Sequence, residues 1–207
     1  MSPANCGGTR AKQVLSPGAT FGLAERLRSS EGAPLGELFS FVSGLYFRGK
    51  LTYARRFAAP ADPANAVVGG GVHVITPNAG LRTPDTLVTA DAVRAFGGAD
   101  VHPDNDGYRR PLERSAGVLA RELGPDCDVV LLGSIASPKY VDILLAIFGD
   151  ALQFPSAFVG RGDMSRGGLL LRHASQGMEL QYVPISGAVR HGTRPPRLSP
   201  LWRARVS

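Results

Sequence analysis

Hydrophobic and polar positions alternate along this chain with two different periods. Residues 46–59 place Phe47, Leu51, Ala54 and Phe57 among Arg48, Lys50, Arg55 and Arg56, which is the spacing of an amphipathic helix. Residues 110–123 repeat it with Leu112, Leu119, Ala120 and Leu123 on one face, and 21–28 and 90–96 read as shorter helices. Strands are predicted at 38–42, ending on Ser43-Gly44, and at 72–75, closed by Thr76-Pro77-Asn78. The run Cys-Asp-Val-Val-Leu-Leu at 127–132 is the strongest strand signal, because a continuous apolar stretch suits a strand buried on both faces of a parallel sheet. Pro138 then opens a helix whose apolar stretch covers 141–148. Strand, Gly-Ser loop and helix make half of a βαβ unit. The expected class is therefore α/β: a Rossmann-like open, mainly parallel sheet flanked by helices, in a single domain over 1–186. In such sheets ligands gather at the carboxyl ends of the strands.

Composition narrows the class without naming a reaction. With 207 residues, 43% hydrophobic and 19% charged, the chain can bury its own core, so disulfide scaffolds and disordered chains are excluded. No apolar run reaches the ~20 residues of a membrane-spanning helix, and no apolar stretch follows the first charges as in a signal peptide. A cytoplasmic protein with no membrane partner is expected, with Cys6 and Cys127 as reduced thiols. The formal charge is +6, and Arg190, Arg194, Arg197, Arg203 and Arg205 after Ser186 meet no acid, so 187–207 reads as a basic, flexible tail. Such a tail either is a solvated extension or gathers nucleic acid through its phosphates. Only Lys12, Lys50 and Lys139 are lysines beside twenty arginines, so each stands out where a compact ammonium of tunable pKa is wanted.

Three loops become candidate ligand sites. In the first, 43–50, Ser43, Arg48 and Lys50 could hold an anion at a helix N-terminus, or Ser43 could be only a cap. In the second, 133–140, Ser134, Ser137 and the first-turn amides face a polar ligand with Lys139 or Tyr140 as donor, or form an ordinary helix entry. In the third, 159–168, Gly160, Gly162, Gly167 and Gly168 surround Arg161, Asp163, Ser165 and Arg166. Close backbone approach to a ligand would explain the glycines, and the guanidiniums would grip phosphate or carboxylate; a capping salt-bridge network is the alternative. Neither a Walker loop nor a correctly placed dinucleotide fingerprint occurs. Asp85 and Asp163 are the acid/base candidates. The segment 102–107 lacks calcium-loop spacing and reads as a turn, while His73 on a strand and His173 on a helix suit no zinc site. The sequence leaves the cofactor open.

The order of several motifs carries a resemblance. Cys6-Gly7-Gly8-Thr9-Arg10-Ala11-Lys12 comes first, then Leu45-Tyr46-Phe47-Arg48 leading to Tyr53-Ala54, then Ile75-Thr76-Pro77-Asn78-Ala79-Gly80-Leu81 with Pro84-Asp85. Leu131-Leu132-Gly133 with Tyr140 and a Gly-rich turn before leucines complete it. This order resembles a family of small bacterial α/β proteins of unknown function, and is similar to the uracil-DNA-glycosylase-like domain of archaeal tRNA-modifying enzymes. The resemblance spans residues 6–172. Five residues precede Cys6, so the family's opening strand is expected to be short or missing, and Asn78-Ala79 replaces a Lys-His pair. It implies a nucleotide-like or nucleic-acid ligand. The leading expectation is binding of a phosphate-bearing, nucleotide-like ligand at the three loops, with a nucleobase or nucleoside as the group acted on. The alternatives are a non-catalytic nucleic-acid-associated accessory protein using its arginine tail, and an oligomeric subunit without a small ligand.

Overall fold

In a computed structural model, which describes residues 1–196 and 198, the chain starts with two short helices, α1 (Thr9–Leu15) and α2 (Gly22–Arg28). The two-residue strand β1 (Ala33–Pro34) leads into α3 (Leu35–Ser43) and, after Gly44, α4 (Leu45–Phe57). A hairpin follows from β2 (Val74–Thr76) and β3 (Gly80–Arg82), then β4 (Leu87–Val88), which pairs antiparallel with β1. Helices α5 (Ala90–Gly98) and α6 (Asp106–Glu122) precede β5 (Val129–Val130), α7 (Pro138–Phe148) and β6 (Leu152–Pro155). The chain then turns through Ser156–Phe158 into α8 (Asp163–Gln176) and β7 (Tyr182–Pro184). Among the described residues no helix is long and apolar enough to cross a membrane.

The expected Rossmann-like parallel sheet does not form. Helix takes 47% of the described residues and strand 10%, in three small sheets of two, two and three strands, so the class is α-rich with small sheets. Only β5 and β6 pair in parallel among the described strands; β6 pairs antiparallel with β7. Three local causes account for this. The stretch predicted as a strand at 38–42 lies in α3, because Leu35, Leu38, Phe39 and Val42 fall at helical spacing, and the first three are fully buried. Strand β2 is turned back on itself: Thr76 Oγ1 donates to Gly80 O at 2.8 Å and accepts from Ala79 N at 3.0 Å, which makes an antiparallel hairpin. The run 127–132 pairs over only two residues of β5, which are half-buried. The predicted βαβ half-unit is nonetheless present as β5, α7 and the parallel β6.

Residues Met1 and Ser2 lie between the hairpin and the three-stranded sheet. Ile75 N donates to Met1 O at 2.9 Å and Ser2 N to Leu132 O at 3.1 Å. Beyond Ser186, Ala188 and Leu198 pack against the core, and the Thr193 carbonyl lies where a Cβ on Gly160 would be. Of the tail arginines, Arg197, Arg203 and Arg205 lie outside the described residues.

Candidate functional site

Two glycines set a close crossing of α4 and α8. A Cβ on Gly49 of α4 would stand 2.6 Å from Gly167 O of α8, and one on Gly167 would stand 2.8 Å from Tyr46 Cα. Only residues without side chains allow backbones this close. The neighbours of these glycines, Lys50 and Arg166, are brought into the same region as a result.

Lys50 is 1% exposed. Its Nζ donates to Ser2 O at 2.7 Å and Ser2 Oγ at 2.8 Å, and sits 4.5 Å from the centre of the Tyr46 ring and 5.0 Å from that of Phe47. Every one of these partners is neutral. Burial lowers the ammonium pKa to about 7, and the Asp163 carboxylate works in the opposite direction. Arg166 is also buried: Nη2 and Nε donate to Phe158 O at 3.1 and 3.3 Å, and Nη1 to Gly133 O at 3.3 Å. It thereby joins the carboxyl ends of the parallel pair β5 and β6. Its nearest carboxylate oxygen, Asp163 Oδ1, is 3.9 Å away on a side chain that is 67% exposed. Tyr46 Oη is buried without a hydrogen-bond partner; burial pushes its pKa up to about 12, against the pull of Arg166. Tyr140, also buried, is pushed up to about 12 by desolvation and then by Asp163.

The cluster thus has two buried cations, one outward-facing carboxylate, two neutral phenols and the Ser2 hydroxyl. Buried charge bonded to neutral acceptors, with its one carboxylate neighbour at 3.9 Å on an exposed side chain, is costly, and an anion beside Lys50 and Arg166 would relieve it. A lysine titrating at about 7 can hold an anion when protonated or accept a proton when neutral.

Of the residues expected from sequence, the fold brings Lys50, Arg166 and Asp163 together. Ser134 follows the Gly133 carbonyl that holds Arg166, and Lys139 Nζ lies 5.4 Å from the centre of the Tyr140 ring, at the edge of the cluster. Arg161 donates to Ala157 O at 3.0 Å and to Ser165 Oγ at 3.2 Å, so both arginines of the glycine-rich segment are tied to carbonyls of the turn after β6. Gly160, at φ +71°, is required by the approach of Thr193, and Gly167 by the crossing with α4; Gly162 caps α8 and faces open space. Ser43 is the last residue of α3 and does not open the next helix, while Arg48 is exposed on α4. Asp85 is exposed and paired with Arg55 at 2.6 Å, on different partners from the cluster. Ser2 carries no signal in the sequence, and Tyr46 falls in the 43–50 loop and the Leu45–Arg48 motif without a site role of its own. Tyr46 stands four residues before Lys50, a spacing that puts both on one helix face, and that was its available signal.

Comparison with protein-family models, with curated proteins and with solved structures finds no match to this chain.

Proposed function

We propose that the protein binds a phosphate-bearing, nucleotide-like ligand at the Lys50, Arg166 and Tyr46 cluster, with the anion held between the two cations. The observation that carries this reading is that Lys50 and Arg166 are both buried against neutral acceptors, with the exposed Asp163 as their nearby acid. Ser134, Lys139 and Ser165 form the surrounding rim, and the resemblance in motif order supports a nucleobase or nucleoside as the rest of the ligand. If a reaction follows binding, Asp163 and the neutral form of Lys50 are the groups able to move a proton. The reading takes the protein as cytoplasmic, in keeping with its two free cysteines.

Removing both arginines of the glycine-rich segment would also release the turn carbonyls they hold, so Lys50→Met, which keeps the volume and deletes the charge, is the cleaner probe. Thermal unfolding is measured with inorganic phosphate and nucleoside monophosphates at pH 6 and pH 9. The wild type is expected to be stabilised at pH 6, by ~2.7 kcal/mol at a hundredfold excess over Kd, and much less at pH 9. Lys50→Met is expected to show no ligand-dependent shift at either pH. An equal shift in the variant, or none in the wild type, overturns the reading.

A further inference from the structure

A cleft of about 640 Å³ opens between β2 and β5 and is closed by α4, α6 and α7. That is the size of a small-molecule site, and most of its lining is apolar, from Val129 and Val130 on β5 to Leu119, Leu144 and Phe148 on the helices. Its charged side chains are all of one sign. Asp126, Asp128 and Glu179 line it and no lysine or arginine does, in a chain with 23 lysines and arginines against 17 acids. The two groups that could oppose these acids are neutral at pH 7. Burial lowers the His73 imidazole below its ordinary value, and burial and then Lys50 lower the Met1 amine to about 5. The cleft is therefore negative in a molecule whose net charge is positive.

Aromatic rings and a positioned carboxylate meet in one corner of the cleft. Tyr53 and Phe57, one turn apart on α4, have ring centres 4.6 Å apart, and Tyr182 of β7 joins them through its hydroxyl. Leu180 N donates to Tyr53 Oη at 2.7 Å, and Tyr182 Oη donates to Glu179 Oε1 at 2.8 Å. Each phenol has one proton and that of Tyr182 goes to the carboxylate, so Tyr53 Oη donates to Tyr182 Oη at 2.6 Å. This chain orients Glu179, and among the described residues no cationic side chain pairs with it. Aromatic faces beside a carboxylate attract an ammonium, whereas a fatty acid or a phosphate would meet charge of its own sign. A plain hydrocarbon would fill the apolar part and make no use of this corner.

We propose that the cleft binds a small organic ammonium, an amine or methylated ammonium on an apolar body, with the cation at Tyr53, Tyr182 and Glu179 and the hydrocarbon against β5. The exposed Asp126 and Asp128 keep the approach negative. None of Lys50, Arg166 and Tyr46 lines the cleft, so this inference is independent of the phosphate reading.

The test titrates the full chain at pH 7 with octyltrimethylammonium, octanol and octanoate, which share an alkyl chain and differ in the charge of the head, each below its micelle concentration. Calorimetry is expected to show the ammonium binding at least ~10-fold more tightly than octanol, and octanoate more weakly than either. Glu179→Gln keeps an acceptor for Tyr182 and removes the charge. It is expected to lose most of that ~10-fold preference and to bind octanol as the wild type does. The amide resonances of Val130 and Tyr182 are expected to shift on ammonium binding, and that of Arg166 to stay in place. Equal affinity for the three probes, unchanged ammonium affinity in Glu179→Gln, or unmoved resonances at Val130 and Tyr182 would overturn the assignment.

Discussion

Lys50 links the chemistry of the cluster to the stability of the fold. Its ammonium titrates at about 7 in the folded protein against an ordinary 10.5, so between those values the unfolded chain carries more protons. Stability therefore rises with pH across that window, by up to ~1.4 kcal/mol per unit for one proton, and the penalty is complete below about 7. Cys6 has the opposite sign: burial raises its thiol from 9.0 to about 12, so its contribution is present below about 9 and lost as pH climbs toward 12. The Met1 amine, lowered by burial and then by Lys50 to about 5, adds a rise of the same sign as Lys50 but at lower pH. The usable window for Lys50 is thus pH 8 to 9, and urea unfolding of Lys50→Met there is expected to lack the upward slope that the wild type shows. Cys6 also predicts a reactivity contrast. It is 6% exposed and Cys127 is more accessible, so a thiol-reactive disulfide reagent is expected to modify one cysteine in the native protein and two in denaturant. Two fast-reacting native thiols would contradict the burial of Cys6.

Among elements, the crossing of α4 and α8 decides most. Gly167→Ala would put a methyl 2.8 Å from Tyr46 Cα, against backbone that cannot swing aside. A loss of ~1–3 kcal/mol in urea unfolding is expected, together with weaker phosphate-dependent stabilisation, because Lys50 and Arg166 would be moved apart. A neutral result would mean that the helices do not meet at these glycines. Helix α6 offers a milder contrast: Asn105 Oδ1 accepts from Gly107 N at 2.9 Å, so Asn105→Ala is expected to cost ~1 kcal/mol without touching the cluster. The same segment shows how well local signals read from sequence. The turn at 102–107 was expected and ends in this cap, and α2, α4, α5 and α7 fall close to their predicted ranges, since helical periodicity and Pro or Asn caps are properties of neighbouring residues. The predicted strand at 38–42 failed for a related reason: a short run of five mostly apolar residues fits strand and helix alike, and the longer spacing of Leu35, Leu38, Phe39 and Val42 is the one α3 uses.

At the scale of the molecule, the sheet is where sequence reasoning fell short. The apolar run 127–132 predicts a strand buried on both faces, but burial depends on partners elsewhere in the chain, and β5 has a ladder partner on one edge and an apolar cleft on the other. The cluster divides in the same way. The sequence marked Lys50 as one of three lysines and Arg166 and Asp163 as charges set among glycines, and these are local facts of composition. It assigned the glycines to a ligand, whereas Gly160 and Gly167 accommodate Thr193 and α4. It also grouped Asp85, Arg48 and Ser43 with them, and these have other surroundings. The sequence by itself thus determined the helices, the turn chemistry and which side chains carry charge, because each follows from residues within a few positions of one another. Only the tertiary structure decided that two cations share one buried place, that Tyr46 and Ser2 belong with them, and that three short sheets stand where one was expected, because these depend on long-range backbone approach and strand pairing that no local pattern encodes.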